Sequence, residues 1–193
     1  MKILDLGSGR DWTLMINDER FTESDHITIV DRSIPSNMGL KTKNGATIHI
    51  YGKDVFNFLE EYPNRDFDRI HSRRFFEHLT ESEISYLIYL LYEVSKKETL
   101  LDIIVPDFDK VSNVVKSLDP NNMSVIEFNK NMVSVITEIY NTENDPHKSI
   151  WNEQLGRYYI ELESYWKVVD INKNINISNR DWYLHFRAES TRC

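Results

Sequence analysis

The chain has 193 residues, 23 of them Lys or Arg and 31 Asp or Glu, for a net charge of −8. That length fits a single domain over residues 1–193, with a core that needs no disulfide or metal staple. The acidic balance argues against duplex nucleic acid or an anionic membrane as partner, because phosphate binding is driven by a cationic surface. The one cysteine, Cys193, is the last residue, which excludes a disulfide framework, a Cys-rich zinc site and an internal thiol nucleophile. An acid arrives at Asp5 before any long apolar run, and no stretch approaches the roughly 20 apolar residues of a membrane span, so the expected localisation is cytoplasmic.

In chain order, Ile3-Leu4-Asp5-Leu6 reads as a strand that stops at Gly7-Ser8-Gly9. Asp11 to Ser24 reads as a broken helix. His26-Ile27-Thr28-Ile29-Val30-Asp31 is a β-branched strand ending in an acid, and Ala46 to Tyr51 is a third strand closed by Gly52. Phe67 to Ser72 is a fourth, and Thr99 to Val105 a fifth, stopped by Pro106. Thr80 to Ser95 carries Ile84, Leu87, Ile88, Leu91 and Tyr92 at helical spacing behind a Thr80 or Ser82 cap. Val125 to Ile139 and Asn152 to Tyr165 are further helices. Trp166 to Ile171 and Trp182 to Phe186 close the chain as two strands with no helix between them, hence an antiparallel hairpin. The expected fold class is α/β: a doubly wound, mostly parallel sheet covered on both faces, with an antiparallel edge strand.

The chemistry starts at Asp5-Leu6-Gly7-Ser8-Gly9, directly after a strand. Glycines there allow a tight turn and a close backbone approach to a ligand. A dinucleotide fingerprint asks for a third glycine, but Arg10, Asp11 and Trp12 follow, which weakens a pyrophosphate reading; the acid at Asp5 suits a cationic ligand. Asp31 ends the second strand, 22 positions after Gly9, where a carboxylate accepts both hydroxyls of a ribose. Asp54-Val55 follows the third strand. Asp54 is placed to accept from an exocyclic adenine amine, with the Val55 N–H or side chain against the ring; a helix N-cap explains Asp54 equally well.

These residues, with Phe67-Asp68-Arg69-Ile70 and Phe76-Glu77-His78-Leu79, resemble the Rossmann-like S-adenosylmethionine-dependent methyltransferases. Glu77-His78-Leu79 is similar to the subgroup that contains many small-molecule methyltransferases, and Val105-Pro106-Asp107-Phe108 and His147-Lys148-Ser149-Ile150-Trp151 resemble a further subset, often linked to surface polysaccharide synthesis. The resemblance implies seven strands, the last antiparallel, with S-adenosylmethionine over the carboxyl ends of the first two. By motif, it implies Asp5, Gly7 and Gly9 along the methionine part, Asp31 at the ribose, Asp54 and Val55 at the adenine, and Ser72 and Arg73 flanking the sulfonium. The chain departs from the pattern in lacking the third glycine and an N-terminal helix ahead of the first strand, so any lid is expected from elsewhere.

The implied reaction is methyl transfer to a hydroxyl, amine or carboxylate of a small-molecule or saccharide acceptor. A general base typically contributes about 10²–10⁴-fold. His147, His78 and Asp107 are the candidates, with His147 foremost because Pro146 holds it in a polar loop between helices. A surface or capping histidine is the plainer reading for His147, and a backbone-bonded one for His78. Arg73 or Arg74 suits an anionic acceptor. Tyr158, Tyr159, Tyr165 and Trp166 read as core, Tyr86, Tyr89 and Tyr92 as packing their helix onto the sheet, and Trp151 as lining the acceptor site. No metal-ligand motif is evident, so no metal is expected. Two alternatives stand beside this reading: a catalytically silent binding module on the same fold, and an NAD-dependent oxidoreductase or epimerase, which asks for the third glycine and a Tyr-x-x-x-Lys pair.

Overall fold

Every strand expected from the apolar runs forms, because each is short, β-branched or apolar, and bounded by turn residues. The computed structural model describes all residues except 8, 10–20, 36–37, 63, 65, 119–121, 143–144, 178–179 and 193. The strands are β1 (Lys2–Leu6), β2 (His26–Val30), β3 (Met38–Lys41), β4 (Thr47–Tyr51), β5 (Phe67–Arg73), β6 (Ser95–Pro106), the short pair β7 (Asn141–Thr142) and β8 (Asp145–Pro146), β9 (Trp166–Ile177) and β10 (Arg180–Ser190). The helices are α1 (Val55–Glu61), α2 (Glu81–Val94), α3 (Phe108–Ser117), α4 (Val125–Tyr140) and α5 (Glu153–Glu161). α2 starts at the expected Thr80 cap, which forms a complete capping box with Glu83. Of the expected Asp11–Ser24 helix, residues 11–20 lie outside the described residues, and Phe21 to Ser24 form no helix.

The main sheet has the order β3, β4, β2, β1, β5, β6, β10, β9. β4, β2, β1, β5 and β6 run parallel, and β10 is antiparallel to both β6 and β9. The doubly wound α/β expectation holds, with two corrections. The sheet has eight strands rather than seven, because Met38–Lys41 adds antiparallel to β4 at the far edge. The antiparallel β10 also lies inside the sheet, with β9 as the edge.

Alternation gives the sheet two unlike faces. Leu4, Leu6, Ile70, Leu101, Ile103, Val105 and Phe186 face one way, into the core built with α1, α2 and α5. On the other face Ile3, Ile27, Ile29, Ile48 and Ile50 form a smaller cluster over β2 and β4. Toward β5, β6 and β10 that second face turns polar. Register sets Asp5 beside His71, His71 beside Asp102, and Asp102 beside Arg187.

α5 is fixed to the first face by a close approach. A Cβ on Gly156 would stand 2.2 Å from Cζ of Phe186, whose ring is fully buried. Gly156→Ala should therefore destabilise the chain by about 2 kcal/mol, overpacking of about 3 offset by about 1 of helix propensity. Urea unfolding checks this, and a stabilised variant would show that the ring has room to move.

Candidate functional site

The direction of winding reverses between β1 and β5, so the loops after β1, β2, β4, β5 and β6 gather at one end of the sheet. Both glycines after β1 adopt left-handed φ, +68° at Gly7 and +54° at Gly9. Their surroundings differ. A Cβ on Gly7 would meet Cγ of Phe75 at 2.5 Å, and the Gly7 N–H donates to the Val30 carbonyl at 3.0 Å. Gly7 thus gives its side-chain space to Phe75, and only its backbone is left to meet a ligand. Gly9 has open space where a Cβ would stand.

Asp31 joins this turn to the end of β2. Its Oδ2 accepts from the Gly9 N–H at 2.8 Å, and its Oδ1 accepts from the Ser33 N–H at 2.7 Å and hydroxyl at 2.6 Å. A carboxylate has about four acceptor positions, so three bonds fix its plane and leave capacity for a hydroxyl.

Asp54 is the N-cap of α1, its Oδ1 accepting from Phe56 N at 3.0 Å and Asn57 N at 3.3 Å, while Oδ2 takes part in neither bond. The capping and binding readings are thus compatible. Val55 turns its side chain into the core, which excludes the expected side-chain contact and leaves its N–H. Asp5 is buried, with Oδ1 2.9 Å from His71 Nδ1, and so faces the polar sheet surface rather than the turn. Ser72 is buried, its hydroxyl donating to the Leu6 carbonyl at 3.4 Å. Arg73 is half-buried at the end of β5, and Arg74 beside it is exposed with φ +57°.

The second centre lies after β5 and β6. Phe76–His78 forms one 3₁₀ turn. The Lys148 and Ser149 N–H groups donate to the Glu77 carbonyl at 2.8 and 3.2 Å, which straps the His147 loop onto that turn. The His78 and His147 rings meet edge to face with centroids 4.8 Å apart. The Glu77 carboxylate, 1 % exposed, has an oxygen within 4.8 Å of both imidazoles. Sequence reading had His78 and His147 but passed over Glu77, and it saw no ligand cluster because the loop is remote in the chain. A small, open pocket lies beside them, lined by Glu77, His147, Pro106, Phe108 and Trp151 among others.

Asp107 is also at this end, but its Oδ1 caps α3 by accepting from Asp109 N at 3.0 Å and Lys110 N at 3.4 Å. Burial raises its pKa above the usual carboxylate value, against those bonds. Trp151 is fully buried, its Nε1–H donating to the Ser149 hydroxyl at 3.0 Å, so it floors the pocket from the core. Tyr159 and Trp166 are core as expected, whereas Tyr158 is exposed. Tyr86 and Tyr89 also correct their expected place: both are exposed and stack on each other.

No family model matches the sequence, and no curated protein matches it. Solved structures do match in three dimensions. A methyltransferase of Methanosarcina mazei described as S-adenosylmethionine-dependent superposes with a TM-score of 0.61 at 13% identity, over 100% of this chain and 93% of that one. One from Archaeoglobus fulgidus gives 0.58 at 15% identity, over 98% and 86%. The 1,6-didemethyltoxoflavin-N1-methyltransferase of Burkholderia thailandensis, solved with bound 1,6-didemethyltoxoflavin and S-adenosylhomocysteine, gives 0.61 at 13% identity, over 98% and 71%. The chain has the fold of the S-adenosylmethionine-dependent methyltransferases.

Tyr92 and Lys96 have the Tyr-x-x-x-Lys spacing, but they straddle the end of α2 and the amino end of β6, away from the loops of the site. There Lys96 pairs with Asp68, and the Arg192 guanidinium lies 4.2 Å above the Tyr92 ring. Among the described residues no helix is long and apolar enough to cross a membrane.

Proposed function

We propose that the chain transfers a methyl group from S-adenosylmethionine to a small-molecule or glycan acceptor. The observation that carries this reading is the bond from Gly9 N–H to Asp31 Oδ2, which orients a carboxylate beside the open space at Gly9, at the reversal point of the sheet. The residues fit the cofactor at its ribose end, where Asp31 has acceptor capacity, and at its adenine end, where Asp54 Oδ2 takes no part in the cap bonds of α1. When bound, S-adenosylmethionine supplies a methyl group already activated on a sulfonium.

The chain's own part is to hold and orient. Gly9 offers backbone without side-chain bulk, Phe75 walls the turn over Gly7, and Arg73 stands at the end of β5 nearest the expected sulfonium. Ser72 supports that strand end through its bond to Leu6, and the paired Asp5 and His71 brace β1 against β5. The acceptor lies in the pocket beside β6, above Trp151, and its proton leaves toward Glu77, His78 and His147. Asp107 positions α3 along the pocket rather than taking the proton.

Asp31→Ala is expected to weaken S-adenosylhomocysteine binding by at least about tenfold, from the loss of a charge-assisted hydrogen bond worth about 1.5–3 kcal/mol. Calorimetric titration measures it, with circular dichroism as the fold control, and unchanged affinity removes the assignment. In the unaltered chain S-adenosylhomocysteine should raise Tm while NAD leaves it unmoved. The filled space over Gly7 favours one second reading, a binding module without turnover. A chain that binds S-adenosylhomocysteine but retains no activity after the His147 loop is left intact across an acceptor panel would be that module.

A further inference from the structure

We infer that Glu77, His78 and His147 form a binding site for a divalent transition metal, of which Zn²⁺ is the best match. Two imidazoles and a carboxylate are the donor set that such ions prefer, and three protein ligands leave a position for water or a substrate oxygen. The three ligand atoms lie within 4.8 Å of one another. Around a tetrahedral Zn²⁺ with bonds of about 2.0–2.2 Å they would stand about 3.4 Å apart. Small side-chain rotations supply that contraction.

Three features make this a built site rather than a chance meeting of surface groups. Glu77 is 1 % exposed, so the packing of the fold holds its carboxylate beside the two imidazoles. His78 Nδ1 lies 3.4 Å from the Pro146 carbonyl, and an Nδ1–H donated there fixes the tautomer that leaves Nε2 for the metal. The third ligand comes from a loop tied by two backbone hydrogen bonds to the residue that supplies the first, so both arms of the site are preset.

Glu77 and His147 also line the pocket, so the open coordination position faces it. Binding of the ion is independent of methyl transfer. Its chemical consequence rests on the methyl-transfer reading: with the ion bound, the three side chains would hold the metal instead of taking the proton, and an oxygen-rich, chelating acceptor would lose its hydroxyl proton to water more readily on the ion.

The test is titration of the chelator-stripped, full-length chain with ZnCl₂, without S-adenosylmethionine. One equivalent should bind, and Co²⁺ should give the d–d absorption of a low-coordinate site. His147→Ala and Glu77→Gln should each weaken Zn²⁺ binding more than about tenfold, while replacement of the exposed His26 or His49 leaves it unchanged. A second readout needs no variant: Zn²⁺ should protect His78 and His147 from diethyl pyrocarbonate and leave His26 and His49 reactive. No binding, binding indifferent to His147 and Glu77, or no selective protection overturns the assignment. None of these results depends on the cofactor site, so failure here leaves the methyl-transfer reading to its own test.

Discussion

Gly7→Ala is expected to destabilise the chain by about 3 kcal/mol, and Gly9→Ala by only about 1 kcal/mol, because left-handed φ costs an L-residue about 1 kcal/mol and overpacking adds about 2. Both glycines carry the φ penalty, at +68° and +54°. Only Gly7 has a ring in the way, with Phe75 Cγ at 2.5 Å from the position of the new Cβ. Urea unfolding of the two variants gives the difference directly. A Gly7/Phe75 double-mutant cycle isolates the steric part, since Phe75→Ala removes the clash but not the φ strain. The coupling should exceed about 1 kcal/mol, as for residues in contact. Equal losses for the two glycines would mean that Phe75 swings away freely.

Asp102→Ala should destabilise the chain by about 3 kcal/mol, the lower end for a broken buried ion pair, because its cationic partners partly rehydrate. Asp102 is 0 % exposed and accepts from Arg69 Nε at 2.6 Å, His185 Nε2 at 2.6 Å and Arg187 Nε at 3.1 Å, while Arg69 and Arg187 are each 38 % exposed. Burial pushes the carboxyl pKa up, but the hydrogen bonds from His185 and Arg69 and their charges outweigh it and hold it well below the usual value. The sign follows from linkage. A depressed folded pKa gives stability that is present above the unfolded pKa, about 4, and is lost as pH falls through the folded value. The unaltered chain should therefore lose stability below about pH 4 by a component that Asp102→Ala lacks. Parallel pH–stability curves for the two proteins would show that the network contributes nothing.

Local features of the sequence were enough for the strand–helix alternation and for one end of the site. Ile3 to Gly9 shows both its strand and its turn, since apolar alternation and glycine act within a few residues. Asp31 was readable because a strand end and a glycine turn at the right separation meet through a single parallel pairing, β1 with β2. β3 was missed because Met38-Gly39-Leu40-Lys41 is too short and too mixed to show a period. α3 was missed because Val111 is its buried residue and the helix turns mostly polar positions outward. The Asp102 network was invisible for another reason. Alternation places Arg69 and His71 on one face of β5, but only register brings them to Asp102 and Arg187.

What the sequence determined on its own is the α/β class, the glycine turn and the acid at the tip of β2, all set by short-range sterics and period-2 patterning. The tertiary structure decided the rest. It filled the space over Gly7 with Phe75, turned Asp5 toward His71, made Asp107 a helix cap and gathered Glu77, His78 and His147 around one point. These outcomes depend on which distant segments the sheet order and the strapped loop bring together, and no local pattern encodes that choice.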